Sequence, residues 1–399
     1  MMMRTKYKSV AVFIVTAMLA AVLTACSTIS SGQSSQPSQP SQPSQPQQSS
    51  QPNQTEKISD VKPEAKQVLS FVVVGDTPYN EDDKAMLEAA VKKIGEIQPP
   101  FVIHVGDTQS GGETCGAAHD ERFAKLISDL APAPVYYTPG DNEWTDCDRQ
   151  TIKNTGQDTG VRFSEIGRLN TLRDTFFAAP PAHSQNMSYA QLNAQPENAS
   201  WVYNNIRFMT LNVPGTGNAR TQILGDPQLQ AKQAAELRDA ANLYWIKAQF
   251  AAATIDTYGK LLQNPAKAIV IAMQADMTDF SQKDEHLIGK PCLGVSDAWR
   301  INCDGFVALR AAIAQAAQGF SGPVLLIHGD TSHFTLNQGF LGSETDNLWR
   351  LNAAGDTWSN KKTGESGGVR DVTFVTIDLD NKQEPFSAVG LIAGAIPGS

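Results

Sequence analysis

The alternation of apolar and polar positions predicts strands and helices in turn from about residue 61 to the end of the chain. Four apolar, β-branched runs are long enough for buried strands and too short for amphipathic helices. Each run ends in a glycine followed by an aspartate: Phe71–Asp76, Phe101–Asp107, Val135–Asp141 and Val324–Asp330. Ligands of open α/β sheets bind beyond the carboxyl ends of the strands, so these four aspartates are candidate site residues.

Two further Gly-Asp pairs lack this context. Gly225-Asp226 and Gly355-Asp356 follow no apolar strand, and we interpret both as ordinary turns. Their aspartates are therefore not predicted to join the site.

The other elements follow from residue spacing. Asn80 is a candidate N-cap of a first helix, and Asn204-Asn205 suits the turn of a hairpin. Further helices are predicted near Glu165–Phe177, Gln230–Ala252 and Val307–Ala317, and further strands over Trp201–Leu211, Ala268–Met273 and Asp371–Leu379. Two central sheets covered by outer helices are the natural arrangement of these elements.

Four carboxylates at neighbouring strand ends would repel one another, and each would raise the pKa of the others. A divalent cation bound by oxygen ligands is the simplest positive partner for them. One such aspartate by itself is better explained as the cap of the following helix. The recurrence of the same context four times favours a shared site.

The first 25 residues have the pattern of a signal peptide. Three basic residues precede an apolar run that is too short for a permanent membrane span. The sequence Leu23-Thr24-Ala25-Cys26 resembles the lipobox of bacterial lipoproteins, in which Cys26 becomes the lipidated N-terminus. The alternative is a plain secretory signal with an incidental cysteine. The serines after Cys26 resemble an outer-membrane sorting signal, which in a Gram-negative cell places the protein on the periplasmic side.

Residues 26–60 are predicted to form the lipid anchor and a disordered tether, because their Ser-Gln-Pro repeats cannot bury a core. A proline-rich recognition motif is the weaker reading. Residues 61–399 contain no second linker and are predicted to form one domain.

The balance of charge disfavours nucleic acid as a partner. The net charge is −9, and it becomes −12 when the leader, with three basic and no acidic residues, is removed. No basic stripe marks a nucleic-acid surface.

Four cysteines remain beyond Cys26. Two disulfides are the default in an exported protein, and the sequence allows three pairings. We favour Cys292–Cys303, which are close in the chain, and Cys115–Cys147, which follow Asp107 and Asp141 in loops expected to share a rim. A cysteine zinc site is disfavoured because no Cys-x-x-Cys spacing occurs.

The six histidines differ in their surroundings. His328 and His333 flank Asp330 and are the credible ligands, whereas His104 lies inside a strand and suits the core. The remaining three are expected to be solvated: His119, His183 and His286.

These residues together resemble the calcineurin-like metallophosphoesterase superfamily. Its pattern is Asp-x-His, Gly-Asp, Gly-Asn-His-Asp/Glu, a lone histidine and Gly-His-x-His, each at a strand end. The matching segments are Asp76-Thr77-Pro78, Gly106-Asp107, Gly140-Asp141-Asn142-Glu143, Gln274 and Gly329–His333. The resemblance implies a four-layer α-β-β-α sandwich over residues 61–399.

The segments depart from the family pattern in a consistent direction. Pro78, Asn142 and Gln274 stand where histidines are expected, Asp141 stands for an asparagine ligand, and Asp330 replaces the first histidine of the last pair. The site therefore becomes rich in oxygen, which shifts the expected metal from Zn²⁺ or Fe towards Mn²⁺, Mg²⁺ or Ca²⁺. Two cations remain the expectation, and the same changes could reduce them to one or to none.

The resemblance implies roles for these residues. Asp107 would bridge two cations, Asp76 and His333 would complete the first ligand set, and Asp141, Gln274 and Asp330 or His328 the second. Asn142 and His328 are the candidate catalytic residues, with His104 as the alternative to His328 for proton transfer. The expected activity is hydrolysis of a phosphate ester in the cell envelope. A catalytically degenerate binding protein on the same fold is the main alternative, and an envelope scaffold is the third.

Replacing Cys26 with serine tests the anchor. We expect Cys26→Ser to leave membrane fractions as a soluble or uncleaved form, because serine has no thiol to carry the lipid. Fractionation followed by mass spectrometry of the N-terminus decides the matter. Cleavage at the same place with unchanged membrane attachment would contradict lipidation.

Overall fold

The structure is a computed structural model. It describes residues 68–221, 223–278, 288–292, 303–341, 345–359 and 362–398. The predicted signal peptide, Cys26, the tether and His286 lie outside these residues.

The described elements follow the predicted order closely. The strands are β1 (Val68–Val74), β2 (Val102–His104), β3 (Val135–Tyr137), β4 (Thr151–Asn154), β5 (Gln157–Arg162), β6 (Ala190–Leu192), β7 (Gln195–Tyr203), β8 (Ile206–Thr210), β9 (Ala268–Ala272), β10 (Val324–His328), β11 (Thr335–Gln338), β12 (Leu348–Asn352), β13 (Gly355–Ser359), β14 (Ser366–Val369), β15 (Thr373–Asp378) and β16 (Phe386–Gly390). The helices are α1 (Glu81–Ile97), α2 (Ala117–Asp129), α3 (Glu165–Phe176), the short turn α4 (Gly215–Ala219), α5 (Gln228–Ala252) and α6 (Val307–Gln318), with a 3₁₀ turn at Asp146–Arg149.

Two large sheets form the centre of the described part of the chain. The first has the strand order β16-β15-β1-β2-β3, and β1, β2 and β3 run parallel. The second has the order β11-β12-β10-β9-β8-β7-β6, and β8, β9, β10 and β12 run parallel. Within each parallel group the carboxyl ends lie at one edge, which brings the loops carrying the predicted site residues together.

An apolar core fills the space between the sheets, and aromatic side chains dominate it. Phe101, which immediately precedes β2 of the first sheet, has its ring centre 4.9 Å from that of Phe208 in the second sheet. Tyr136 stacks on Trp201 at 3.6 Å between ring centres. All four side chains are buried. Contacts of this kind lock the two sheets face to face and so fix the separation of the loops at their edges.

Helices cover the outer faces of both sheets. Met86, Leu87 and Ile94 of α1 pack with Val72 and Val74 of β1. On the other side, α5 and α6 contribute the residues that pack against the second sheet: Trp245, Ile246, Phe250, Leu309 and Ile313. The predicted four-layer α-β-β-α sandwich is therefore confirmed.

A buried ion pair ties the outer helices to a site loop. The guanidinium of Arg168 on α3 donates to both carboxylate oxygens of Asp120 on α2, at 2.7 and 2.5 Å. Its Nε also donates to the carbonyl oxygen of Glu143 at 2.8 Å. Because all three partners are buried, removal of the guanidinium would leave a charge and a carbonyl unsatisfied.

The structure joins the two cysteine pairs favoured by the sequence. Cys115 is linked to Cys147 and Cys292 to Cys303. The first link connects the loop after β2 to the 3₁₀ turn after β3. None of the described helices has the length and hydropathy of a membrane span.

Truncation of Phe101 tests the importance of the core between the sheets. We expect Phe101→Ala to lower the free energy of unfolding by about 3–5 kcal/mol, because it opens a cavity among several aromatic rings. Leu237→Ala is the control, since Leu237 on α5 is 73% exposed and should change stability by less than about 0.5 kcal/mol. Equal effects of the two variants in denaturant unfolding would show that the aromatic core is not the main support.

Candidate metal and phosphate site

Five of the predicted metal ligands come together where the carboxyl ends of the two parallel groups meet. The backbone N–H of Asp330 donates to Asp76 Oδ1 at 2.9 Å, which connects the two sheets directly. Gln274 Nε2 lies 3.2 Å from Asp141 Oδ1 and 3.1 Å from Asp330 Oδ1. Asp107 joins the same group, since Asp141 and Asp76 both contribute to its electrostatic environment. We call Asp76, Asp107, Asp141 and Asp330 the carboxylate cluster.

Burial and mutual repulsion both act on this cluster. Burial raises the pKa of Asp76, Asp107 and Asp330 well above the ordinary range, and the neighbouring carboxylates raise it further. A side chain cannot enter between them, because a Cβ on Gly215 would lie 2.7 Å from both Asp141 Oδ2 and Asp330 Oδ1. The site therefore concentrates negative charge in a space that favours protons or a cation.

Two hydroxyl groups that the sequence did not reveal stabilise the cluster. The phenol of Tyr79 donates to Asp107 Oδ2 at 3.0 Å and lies 3.4 Å from Asp76 Oδ1. The hydroxyl of Thr216 donates to Asp141 Oδ2 at 2.6 Å. Thr216 belongs to α4, where it and the next two residues have left-handed backbone conformations. Strained backbone of this kind often marks a functional loop, but nothing in the local sequence gave its position.

Asn142 lies inside the site as a hydrogen-bond donor. Its Nδ2 donates to Asp107 Oδ2 at 2.8 Å and to the carbonyl oxygen of Gln109 at 2.9 Å. Glu143 stands behind it and accepts from the backbone N–H groups of Thr108 and Gly140, at 2.8 and 3.0 Å. Glu143 thus connects the loop after β2 to the loop after β3, and Asn142 orients Asp107.

The direction of the Gln274 amide differs from the one that a metal ligand would need. The backbone N–H of Gly215 can only donate, and it lies 2.5 Å from Gln274 Oε1. The amide nitrogen must therefore face Asp141 and Asp330, where it donates hydrogen bonds. In this arrangement Gln274 supports the carboxylates and does not present an oxygen to a metal.

The two histidines predicted as ligands do not enter the cluster. His333 is exposed, and its charge acts to lower the pKa of Asp356. His328 is buried, with Nδ1 2.8 Å from the carbonyl oxygen of Gly329, and it faces Asp276 and Arg350. Counted from Gly329, the second histidine of the family pattern falls on Ser332, one residue before His333. His333 is therefore one residue beyond the position that the family pattern assigns to a ligand.

Of the other described histidines, two have the burial expected from the sequence and one does not. His104 is buried in β2, and burial lowers the pKa of its imidazole to about 3, as suits a neutral core residue. The expectation that His119 is solvated is wrong. His119 is buried, and its Nε2 lies 2.8 Å from the hydroxyl oxygen of Thr108, because the first turn of α2 packs against the loop after β2. His183 is exposed.

The two Gly-Asp pairs interpreted as ordinary turns are more than that. The N–H of Asp356 donates to the carbonyl oxygen of Asp76 at 2.9 Å, and burial together with Asp141 raises the pKa of Asp356 to about 6. Asp226 caps the start of α3, where it accepts from the hydroxyl of Ser164 at 2.6 Å and the N–H of Ile166 at 3.1 Å. Because neither Gly-Asp pair follows an apolar strand, the sequence pattern that identified the site could not predict these contacts.

Comparison with protein families agrees with the residues at this site. Residues 69–212, which run from the second residue of β1 past the end of β8 and include three members of the carboxylate cluster, match the family of calcineurin-like phosphoesterases. The predicted resemblance to the calcineurin-like phosphoesterases is confirmed. The comparison with curated proteins found no match.

Solved structures with a similar arrangement are distant in sequence. A dimetal phosphatase of Danio rerio is 10% identical with a TM-score of 0.41, over 81% of this chain and 99% of that one. GAP50, described as the anchor in the inner membrane complex of Plasmodium, is 9% identical with a TM-score of 0.44, over 82% and 86%. A phosphatase of Mycoplasma pneumoniae is 11% identical with a TM-score of 0.31, over 81% and 93%. Similarities of this size carry no argument about the activity of this chain.

The donor set of the cluster fits the divalent cation that the family implies. Asp76 Oδ2 is buried and has no hydrogen-bond partner, and the four carboxylates supply only oxygen atoms. No three acidic, histidine or cysteine side chains of the described residues already converge in a ready-made coordination sphere. The carboxylates are instead turned towards Tyr79, Asn142 and Gln274, so binding of a cation would require small rotations of their side chains.

Neutralisation of Asp76 tests two properties of the carboxylate cluster. These are the destabilisation that its repulsion causes in the metal-free protein and the stabilisation that a bound cation would provide. We expect Asp76→Asn to raise the free energy of unfolding of the metal-free protein by about 1–2 kcal/mol, because it removes one of several mutually repelling charges. Its Oδ1 can still accept from Asp330, and an amide nitrogen can replace the unpartnered Oδ2. With saturating Mn²⁺ the wild type should become the more stable form.

Thermal unfolding in EDTA and in Mn²⁺ measures both effects. Asp174→Asn is the control, because Asp174 is exposed on α3. A lower melting temperature of Asp76→Asn in EDTA would mean that the surrounding donors already compensate the charge of the cluster.

Proposed function

We propose that this chain is a metal-dependent phosphoric ester hydrolase of the bacterial cell envelope. The observation that carries the proposal is the convergence of four carboxylates from four Gly-Asp strand ends of two sheets. This convergence occurs in a chain whose family is that of the calcineurin-like phosphoesterases. A phosphate ester is the corresponding class of substrate.

The residues proposed to hold a divalent cation are Asp76, Asp107, Asp141 and Asp330. Because these ligands offer only oxygen, Mn²⁺, Mg²⁺ and Ca²⁺ suit them better than Zn²⁺. We expect one cation per chain, since His333 and His328 both lie outside the cluster. When bound, such a cation lowers the pKa of water and compensates the charge of phosphoryl oxygens.

The chain's own donors would keep the carboxylates in place for this purpose. Tyr79 and Asn142 fix Asp107 from two sides, and Thr216 fixes Asp141. Such support from neighbouring hydrogen bonds is what orients metal ligands in proteins. Water would have little access from the side of the strand ends, because Asp76 and Asp107 are buried next to the ends of β1 and β2.

A non-catalytic binding protein on the same fold is the second candidate. The observation that favours it is that Pro78, Asn142 and Gln274 carry no imidazole where the family pattern has histidine. The Asn142 amide has no proton to transfer at neutral pH, so the site lacks the general acid expected there. Such a protein would bind a metal or a phosphate ester without turning it over.

The proposed location rests on the sequence before residue 61. Lipidation of Cys26 and a tether of Ser-Gln-Pro repeats would hold the domain near a membrane, facing the periplasm if the cell is Gram-negative. A disulfide between Cys115 and Cys147 is compatible with an oxidising compartment.

Replacement of Asp107 tests the enzyme proposal directly. We expect Asp107→Asn to abolish detectable Mn²⁺ binding and hydrolysis of a chromogenic phosphate ester, because Asp107 is near both Asp76 and Asp141 and its charge is needed to compensate a cation. Titration calorimetry of the lipid-free protein gives affinity and stoichiometry, and circular dichroism shows whether the fold is retained.

Asp174→Asn is the matched control, and it should bind Mn²⁺ and turn over ester as the wild type does. Asp226 is unsuitable for this purpose because it caps α3. A wild type that binds Mn²⁺ without turnover would favour the binding protein. Unchanged Mn²⁺ affinity in Asp107→Asn would remove the cluster as the metal site.

A further inference from the structure

The site lacks a cationic side chain where the family pattern has the histidine of its third motif. Asn142 occupies that position, and its amide nitrogen is already engaged with Asp107 and Gln109. A phosphoryl group next to four carboxylates would meet strong repulsion there. Some positive group beside Asn142 would therefore have a clear use.

Arg149 places its guanidinium beside the oxygen side of the Asn142 amide. The point where a Cβ on Gly111 would stand lies 2.5 Å from Asn142 Oδ1, 2.7 Å from Asp146 Oδ2 and 3.2 Å from Arg149 Nη1. The three side chains thus converge over one glycine, and any larger residue at position 111 would displace them. The absence of a side chain at Gly111 allows Arg149 to approach the edge of the site.

The backbone around Arg149 is fixed from several directions. Arg149 ends the 3₁₀ turn Asp146–Arg149, which Cys147 links to Cys115 in the loop after β2. The side chain of Arg162 donates to the carbonyl oxygen of Arg149 at 3.0 Å. Gln150 Nε2 donates to the carbonyl oxygen of Gly112 at 2.8 Å. The guanidinium therefore projects from a rigid support, which limits the entropy lost when it binds a ligand.

The guanidinium of Arg149 is partly accessible to solvent, whereas the carboxylate that pairs with it is buried. The Arg149 side chain is 39% exposed, whereas its ion-pair partner Asp146 is 4% exposed. Asp146 in turn lies 3.2 Å from the hydroxyl of Thr216, which also contacts Asp141. Asp146 orients the guanidinium from behind and connects it to the carboxylate cluster.

We propose that Arg149 binds the phosphoryl oxygens of the substrate and of inorganic phosphate, in place of the missing histidine. The assignment rests on the proposed function for its catalytic meaning. A guanidinium presents a planar set of donors that matches two oxygens of a phosphoryl group, and it remains charged at any physiological pH. Its position beside Asn142 lets it offset charge at the non-bridging oxygens without transferring a proton.

A purely structural role would make a different prediction. If Arg149 served only to neutralise Asp146, Arg149→Gln would act through the buried carboxylate that it leaves unpaired, and Mn²⁺ affinity and stability would fall together with phosphate binding. If Arg149 binds phosphate, Asp146→Asn retains the cation that binds it, whereas Arg149→Gln removes that cation.

Four variants of the full domain separate these roles: Arg149→Gln, Arg149→Lys, Asp146→Asn and the control Arg122→Gln. Arg122 is exposed on α2 and pairs with Glu113, so its loss removes one surface guanidinium away from the cluster. Calorimetry with inorganic phosphate, with and without Mn²⁺, gives the affinity, and kinetics on a chromogenic ester gives KM and kcat. Calorimetry with Mn²⁺ alone shows whether the metal site is disturbed.

We expect Arg149→Gln to weaken phosphate binding by roughly 10- to 100-fold, the loss of a charge-assisted hydrogen bond, with Mn²⁺ affinity kept. Arg149→Lys should recover part of the affinity, because lysine keeps the charge without the planar donor set. Asp146→Asn should retain phosphate binding, and Arg122→Gln should match the wild type.

The outcomes distinguish this inference from the proposed function. Phosphate affinity that is equal in Arg149→Gln and Arg122→Gln, or a wild type that binds no phosphate, would overturn the assignment. Equal losses in Arg149→Gln and Asp146→Asn would also overturn it in favour of a structural ion pair. A wild type that binds phosphate through Arg149 but never turns over ester would support the assignment while the enzyme proposal fails.

Discussion

The mutual repulsion of buried carboxylates is the constraint around which the functional end of this molecule is built. Asp76, Asp107 and Asp330 are held close together although burial and their neighbours raise the pKa of each. Such a group opposes folding unless packing elsewhere outweighs it. The packed aromatic core between the sheets offsets that cost.

The sequence predicted the fold and the four cluster residues for the same reason. Apolar, β-branched runs followed by Gly-Asp define strands, and parallel strands bring their carboxyl ends to one edge. The longest helix was predicted equally well: α5 begins two residues before the predicted Gln230 and ends at the predicted Ala252. Where the local pattern and the three-dimensional contact coincide, sequence reasoning succeeds.

The contacts that were missed depend on approaches between distant segments. Tyr79 reaches Asp107, Thr216 reaches Asp141, and Asp356 reaches the backbone of Asp76, in each case across a gap of many residues or out of an irregular loop. Gln274 was placed correctly, but its role changed because one backbone N–H fixed the direction of its amide. His333 lay one residue beyond the required position. Periodicity carries no information about such details, since they depend on side-chain direction and loop geometry.

Loss of the imidazoles changes the chemistry of the site in a coupled way. Imidazole is both a metal ligand and a proton donor, whereas the amides of Asn142 and Gln274 are hydrogen-bond donors that cannot titrate. Each exchange therefore leaves the carboxylates better supported but removes a group that could assist a leaving group. A guanidinium at the edge, as in Arg149, restores positive charge without restoring proton transfer. A site of this composition would act best on esters whose leaving groups need no protonation, and the same composition would suit a protein that binds phosphate and holds it.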